Sequence, residues 1–477
     1  VIIYLLGCIH CMNCSRIKQT RRKEMQMEKR TDMRAEALDT LIDIERNKKL
    51  SHIAIGETLM RNQFEKKADR AFYTRLCEVV TERKIYLDYI LDHYSKTPMK
   101  KCKPLIRSLL RMGAYQILFM DVRDAAACSE AVSLAKKRGF GRLSGFVNGV
   151  LRTLVREKEN LPVPDKKDDV KYVSITYSVP EWLSKLIIEQ YGKESAEKIF
   201  ASFLEARPLT IRTNLSKTTP EELEKELEEA GVKVEKGNYL PYAFTISNLN
   251  YLGKIAAFRQ GKFAVQDESS QLAVAIADIN EGDFVLDVCA APGGKTFHAA
   301  DRLKGAGKVL SRDLTEYKTE LIEENKDRMH YENVEVQQWD ALEEDESLLE
   351  SVDVLLADLP CSGLGIMGRK NDIKYQMTEE QLGELAALQR QILSVVWKYV
   401  KPGGQMIFST CTLNKGENAE NIKWIEENTP LHLVSIEEYL PQNLKNRTGS
   451  QGYLQLIPGE DTCDGFFISK FKRPEAK

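Results

Sequence analysis

From residue 31 to about 155, apolar positions recur at intervals of three and four. Thr31 or Asp32 is placed to cap a first helix through Ala35, Leu38, Leu41, Ile42 and Ile44. The same spacing returns at 53–60, 71–80, 85–90, 105–119, 126–135 and 146–154, punctuated by Pro104, Gly139 and Gly141. This pattern predicts an all-helical domain over 30–160. Residues 161–169, rich in proline and charge, read as a linker. A small α/β domain follows over 170–260, with helices at 182–191 and 221–230 and strands at 209–213, near Val232 and at 243–246.

Beyond residue 261 the period switches to strands alternating with helices. Strands are predicted at 284–289, 308–313, 334–339, 352–357, 405–410 and 466–471. The clearest helix, 382–400, is closed by Lys401-Pro-Gly-Gly404. Such alternation predicts a doubly wound, mainly parallel sheet over 261–473, with 474–477 as a tail. Ligands on these sheets bind beyond the carboxyl ends of the strands. Residues 1–29 follow no such pattern and read as an unstructured extension. Within it, Cys8, Cys11 and Cys14 form C-x2-C-x2-C, but no second half follows at zinc-finger spacing, so no metal is assigned.

Composition narrows the class. With 477 residues, 43 % hydrophobic and 29 % charged, the chain is a multidomain globular protein rather than a disordered or fibrous one. No stretch reaches the length of a bilayer span, and the apolar start lacks the basic region of a secretory signal. Cytoplasmic location and reduced cysteines are therefore expected. The net charge of -2 hides an asymmetry: residues 30–160 carry 26 basic and 17 acidic side chains, whereas 161–477 carry 37 and 52. A basic front could meet a polyanion, although ordinary solvated helix faces give the same balance.

The chemistry lies at the predicted strand ends. The first strand of the large sheet runs into Asp287-Val-Cys-Ala-Ala-Pro-Gly-Gly-Lys-Thr296, with a helix predicted from Thr296. Gly293 and Gly294 permit close backbone approach to a ligand, and the helix start favours its polar or anionic parts. The spacing is neither a Walker loop nor a dinucleotide fingerprint. The next two strands end at Asp313 and Asp340. An acid at the first place can accept from ribose hydroxyls, and one at the second can meet an adenine amino group. Together they point to an adenosine-bearing ligand.

The fourth and fifth strands end in Asp358-Leu-Pro-Cys-Ser362 and Ser409-Thr-Cys-Thr412. A single cysteine there is usually structural. Two on neighbouring strands, one beside an acid, fit covalent catalysis on a pyrimidine. A thiolate added to C6 makes C5 able to attack an electrophilic methyl group. A second group must then remove the C5 proton before the thiol leaves.

These motifs, with Asp372-Ile-Lys-Tyr375, Phe263-Ala-Val-Gln-Asp-Glu-Ser-Ser-Gln-Leu272 and Arg212-Thr-Asn214, closely resemble the RNA cytosine-C5 methyltransferases of the Sun/RsmB, Nop2 and NSUN group. Ala131-Val-Ser-Leu-Ala-Lys136 and Gly145-Phe-Val-Asn-Gly-Val-Leu-Arg152 resemble the RNA-binding helical fold of the antitermination factor NusB. That pairing is similar to the bacterial RsmB architecture. The resemblance implies a NusB-like domain, a small α/β RNA-binding domain and a Rossmann-like class I methyltransferase domain using S-adenosylmethionine. It implies Cys411 as nucleophile, Cys361 as the group assisting product release, and Asp358 beside the cytosine and cofactor. Cys289, Ala290, Ala291, Pro292, Gly293, Gly294 and Lys295 would wrap the methionine end, Asp313 the ribose and Asp340 the adenine. The implied substrate is 16S rRNA, at cytosine 967 in a single-stranded or flipped-out state, with no obligatory protein partner.

Three departures stand out: Leu359 in place of the usual alanine, Thr412 in place of serine, and Ser311-Arg312 ahead of Asp313. A tRNA or another rRNA site is the alternative substrate. A non-catalytic RNA-binding or ribosome-assembly factor is the alternative of another class.

Overall fold

A computed structural model describes residues 31–249 and 251–475. The extension assigned to 1–29, with its three cysteines, lies outside the described residues, as do the last two residues of the tail. Two compact units divide the chain, one through Leu204 together with Lys370–Gln376, the other Glu205–Arg369 with Met377–Lys477.

The first unit is helical. Its opening helix, Met33–Asn47, begins at Asp32, whose side chain accepts from the Ala35 N–H as the sequence predicts. The most buried helix, Pro104–Phe119, hides Leu105, Ile106, Leu109, Leu110, Met112, Ala114, Tyr115 and Ile117. Gly113 lets the helix Ser144–Glu157 approach: a Cβ there would lie 2.6 Å from a methyl of Leu151. The unit also takes in the helices Asp169–Tyr177, Glu181–Tyr191 and Lys193–Ser202, and the short helix Ile373–Gln376 from far along the chain. There the Tyr375 hydroxyl lies 2.8 Å from the carbonyls of both Glu82 and Ser178. Asp372 accepts from the Ser51 N–H at 2.6 Å, and Lys374 is buried.

The second unit contains two sheets. The smaller joins β1 (Leu209–Thr213), β2 (Lys233–Lys236), β3 (Ala243–Ser247) and β4 (Phe263–Val265) in the antiparallel order β2-β3-β1-β4. The larger contains β5 (Phe284–Asp287), β6 (Lys308–Asp313), β7 (Val334–Gln338), β8 (Val352–Asp358), β9 (Val400–Thr410), β10 (His432–Leu433), β11 (Tyr453–Leu456) and β12 (Phe466–Lys472). Its order is β10-β12-β9-β8-β5-β6-β7, with β11 beside β12. Pairing is parallel from β7 to β9 and antiparallel at β12. This is a Rossmann-like sheet whose strand order reverses at β5, so a crevice is expected beyond the carboxyl end of β5.

The largest shift of a predicted boundary lies at the end of the helix expected over 382–400. The α-helix Glu379–Val396 ends early, and Lys401-Pro-Gly-Gly404 falls inside β9. The register explains this: Val352 pairs with Val400 and Val354 with Gln405, so the extra residues bulge from the ladder. Gly403 supplies the positive φ of 77° within the bulge.

Candidate active site

The loop after β5 carries the cofactor motif. A cis peptide joins Ala291 to Pro292, and Gly293 stands at φ 98° as N-cap of the helix Gly294–Arg302. The helix therefore starts two residues before Thr296. No side chain caps it, which leaves its first N–H groups free to meet a ligand carboxylate. Only glycine suits position 293, because a Cβ would lie 2.3 Å from the Phe297 ring. A Cβ at Gly294 would meet nothing nearer than 3.8 Å, so space is open on that side. Below the loop, Asp287 is buried and accepts from Thr296 at 2.8 Å. Its Oδ1 has no hydrogen-bond partner among the described residues. Burial pushes this carboxyl up to about 7, against the pull of Thr296 and Lys295.

Asp313 ends β6 and receives hydrogen bonds from the Ala291 N–H, the Leu314 N–H and the Lys318 ammonium, at 2.9, 2.8 and 2.8 Å. Lys318 is half exposed and can release its oxygen to a ligand hydroxyl. Asp340 lies two residues past β7, in a turn where it accepts from the Leu342 N–H. Cys289 is half-buried, and desolvation pushes its thiol well above the usual thiol range. These positions fit an adenosyl ligand: an uncapped helix start, a glycine cradle and strand-end acids frame the carboxyl end of β5.

The loops after β8 and β9 bring Cys361 and Cys411 to an Sγ–Sγ distance of 3.3 Å. The neighbouring thiol, and after it burial, holds the Cys361 thiol well above its usual range. Beside them, Asp358 is gripped on both oxygens. Lys295 donates to Oδ2 at 2.6 Å and the Ser409 hydroxyl to Oδ1 at 2.7 Å.

Several residues that sequence reasoning missed hold these loops in register. Glu417 is fully buried and accepts from the Ser362 N–H at 2.8 Å and the Ser362 hydroxyl at 2.5 Å. Asn414 and Gln389 donate to the same carboxylate at 3.1 and 3.2 Å. Asn418 donates to the Thr412 carbonyl, and Gly365 donates to that of Cys411. Ser362 and Ser409 sit inside flagged motifs and could have been noticed. Glu417 lies in a polar loop with no period to mark it.

Comparison with known proteins places this site in a family. The profile of 16S rRNA methyltransferase RsmB/F matches residues 274–472. The NusB family matches 31–156, and the ferredoxin-like domain of RsmF/B-like methyltransferases matches 179–250. The "Probable ribosomal RNA small subunit methyltransferase B" of Bacillus subtilis (strain 168) is 36 % identical, over 93 % of this chain and 99 % of its own. The ribosomal RNA small subunit methyltransferase B of Vibrio cholerae is 30 % identical over 84 % and 89 %. Among solved structures, NSun6 from Pyrococcus horikoshii with SFG, an S-adenosylmethionine analogue, superposes with TM-score 0.55 at 22 % identity, which shows the fold alone. That alignment covers 62 % of this chain and 99 % of that one. Fold and relatives make S-adenosylmethionine the methyl donor. With its helical, ferredoxin-like and Rossmann-like parts all matched, the chain belongs to the RsmB/F family of 16S rRNA methyltransferases.

Proposed function

We propose that this protein methylates C5 of a cytosine in 16S rRNA, cytosine 967, through a covalent bond between Cys411 and C6. The observation that carries the reading is the Cys361–Cys411 pair, 3.3 Å apart beside Asp358. Cytosine C5 is a poor nucleophile, and two thiols with a carboxylate are the groups its activation requires. S-adenosylmethionine, when bound, supplies the electrophilic methyl group. Cys289 to Lys295 would cradle its methionine end, Asp313 the ribose once Lys318 swings aside, and Asp340 the adenine.

The chain's own residues do the rest. The Cys411 thiolate adds to C6, and the displaced electron pair moves onto the N3 side of the ring. Asp358 accepts from the exocyclic amino group beside N3 and fixes the plane of the ring, while N3 takes up a proton from solvent. Once C5 carries the methyl group, Cys361 releases its own thiol proton to solvent and, as a thiolate, takes the C5 proton, directly or through a water. The C6–S bond then breaks and frees Cys411. A paired cytosine would hide its ring, so the target is single-stranded or flipped out. The basic helical unit supports RNA binding, which salt should weaken.

The test uses labelled S-adenosylmethionine with naked 16S rRNA, assembled small subunits and bulk tRNA in separate reactions, each product mapped by bisulfite sequencing. One new 5-methylcytosine at 967 is expected. Cys411→Ala should abolish transfer while cofactor binding survives. Cys361→Ala should trap a protein–RNA adduct that resists denaturation. Label confined to tRNA would overturn the substrate, and a fully active Cys411→Ala variant would overturn the mechanism.

A further inference from the structure

Asp358 is the end of a chain of polar contacts that starts on the small sheet. Arg212 of β1 is completely buried, and its Nε donates to the Gln266 Oε1 at 2.9 Å. This turns the other end of the amide toward Ser270, with Nε2 at 3.5 Å from the Ser270 hydroxyl. Ser270 in turn receives the Lys295 ammonium at 2.9 Å. Lys295 closes the chain on Asp358 at 2.6 Å. The ammonium also sits 5.0 Å from the centre of the Phe466 ring. Its position is thus set by a carboxylate, a hydroxyl and an aromatic face, with its side chain only 9 % exposed.

From this geometry we infer that Ser270 is a positioning residue for methyl transfer, acting through Lys295 on Asp358. The inference rests on the proposed reaction, in which Asp358 meets the cytosine. An ammonium tied to Asp358 alone could pivot about that one bond and carry the carboxylate plane with it. The Ser270 hydroxyl removes that freedom. Ser409 fixes the other oxygen, so the lone pairs left on Asp358 point in set directions. A carboxylate presented in this way can accept from the base in one orientation, and orientation is what a reacting pair most needs. Ser270 itself touches neither of the two thiols nor Asp358, so its effect must travel through the lysine. It stands on the helix Glu268–Ile276, which Asp267 caps independently by accepting from the Ser269 N–H and hydroxyl. Loss of the Ser270 hydroxyl therefore leaves the helix start intact.

The experiment compares wild type, Ser270→Ala and Ser270→Thr in steady-state methyl transfer to 16S rRNA. A second readout is the rate at which an amine-acylating reagent labels Lys295 in the RNA-free protein, followed by peptide mass spectrometry. We expect kcat of Ser270→Ala to fall about tenfold, as for loss of one charge-assisted hydrogen bond. KM for S-adenosylmethionine should stay within about twofold, Ser270→Thr should recover most of kcat, and Lys295 labelling should rise several-fold only in the alanine variant. Wild-type kcat in Ser270→Ala overturns the inference while leaving the proposed reaction standing. So does a loss of kcat that threonine fails to rescue, or unchanged Lys295 labelling. A wild-type protein that forms no 5-methylcytosine in any RNA overturns the reaction instead, and unchanged labelling then removes the Ser270–Lys295 link as well.

Discussion

Replacing Glu417 by glutamine is the most direct way to separate the brace of the two cysteine loops from the cysteines themselves. Four donors converge on this buried carboxylate: the Ser362 N–H and hydroxyl, the Asn414 amide and the Gln389 amide. A glutamine fills the same volume but offers one accepting oxygen, and its own NH2 faces donors. Two of the four then face that NH2, although Gln389 keeps the Pro360 carbonyl, 2.8 Å away. The Ser362 hydroxyl can turn to Thr412, 2.7 Å away, which softens part of the loss. Loss of one buried hydrogen bond to a charged acceptor costs roughly 1–3 kcal/mol, so Glu417→Gln should destabilise the second unit by about 2 kcal/mol. The Ser362 N–H adjoins Cys361, so the thiol pair should also lose its fixed spacing and the single-turnover methyl-transfer rate should drop by more than about tenfold. Urea unfolding followed by tryptophan fluorescence suits the measurement, because Trp339, Trp397 and Trp424 all lie in the second unit. The fourth tryptophan, Trp182, lies in the first unit, and a two-unit chain need not unfold in one transition, so the measurement is made in a Trp182→Phe background. A variant within about 0.5 kcal/mol of wild type, with an unchanged rate, would refute the claim that this carboxylate holds the loops.

Asp287 should leave a signature in the dependence of stability on pH. Its carboxyl ionises at about 7 in the folded protein against 3.8 when free, so the native state holds an extra proton between those values. That contribution is complete below about pH 4 and is lost as pH rises through about 7, roughly 4 kcal/mol at most. Asp287→Asn should flatten urea midpoints over this window, apart from the slope due to buried Asp464, pushed up to about 6 by desolvation; an unchanged slope would show that Asp287 is not its source. Gly293→Ala forces a side chain into φ 98° and against Phe297, so calorimetry should find S-adenosylmethionine binding weakened at least about tenfold. Wild-type affinity in that variant would show that the loop can rebuild itself around a methyl group.

Local pattern made most of the large sheet legible. The strand predicted at 308–313 matches β6 from end to end, because the apolar pair Val309-Leu310 follows the turn at Gly307 and the strand closes on Asp313. The Lys401-Pro-Gly-Gly404 stretch misled for a physical reason. Proline and glycine mark a turn in most settings, but a bulge accommodates them inside a strand when the partner register allows. The cysteines and acids were readable because their place at strand ends gave them meaning. Glu417 and the Lys295–Ser270 contact were not, since each is defined by partners dozens of residues away.

The short helix Ile373–Gln376 gives this protein an awkward anatomy for any history of cutting and joining. Its residues are encoded inside the catalytic half, yet Tyr375 finds its partners on Glu82 and Ser178, and Asp372 on Ser51. A gene shortened to begin after residue 204 would keep the seven-residue stretch and discard everything it packs on. Lys374, a buried aromatic and a carboxylate would then lose their cover. Fusion of the two halves is thus hard to reverse by a single deletion, and a viable catalytic fragment would need compensating changes at 370–376 in the same step.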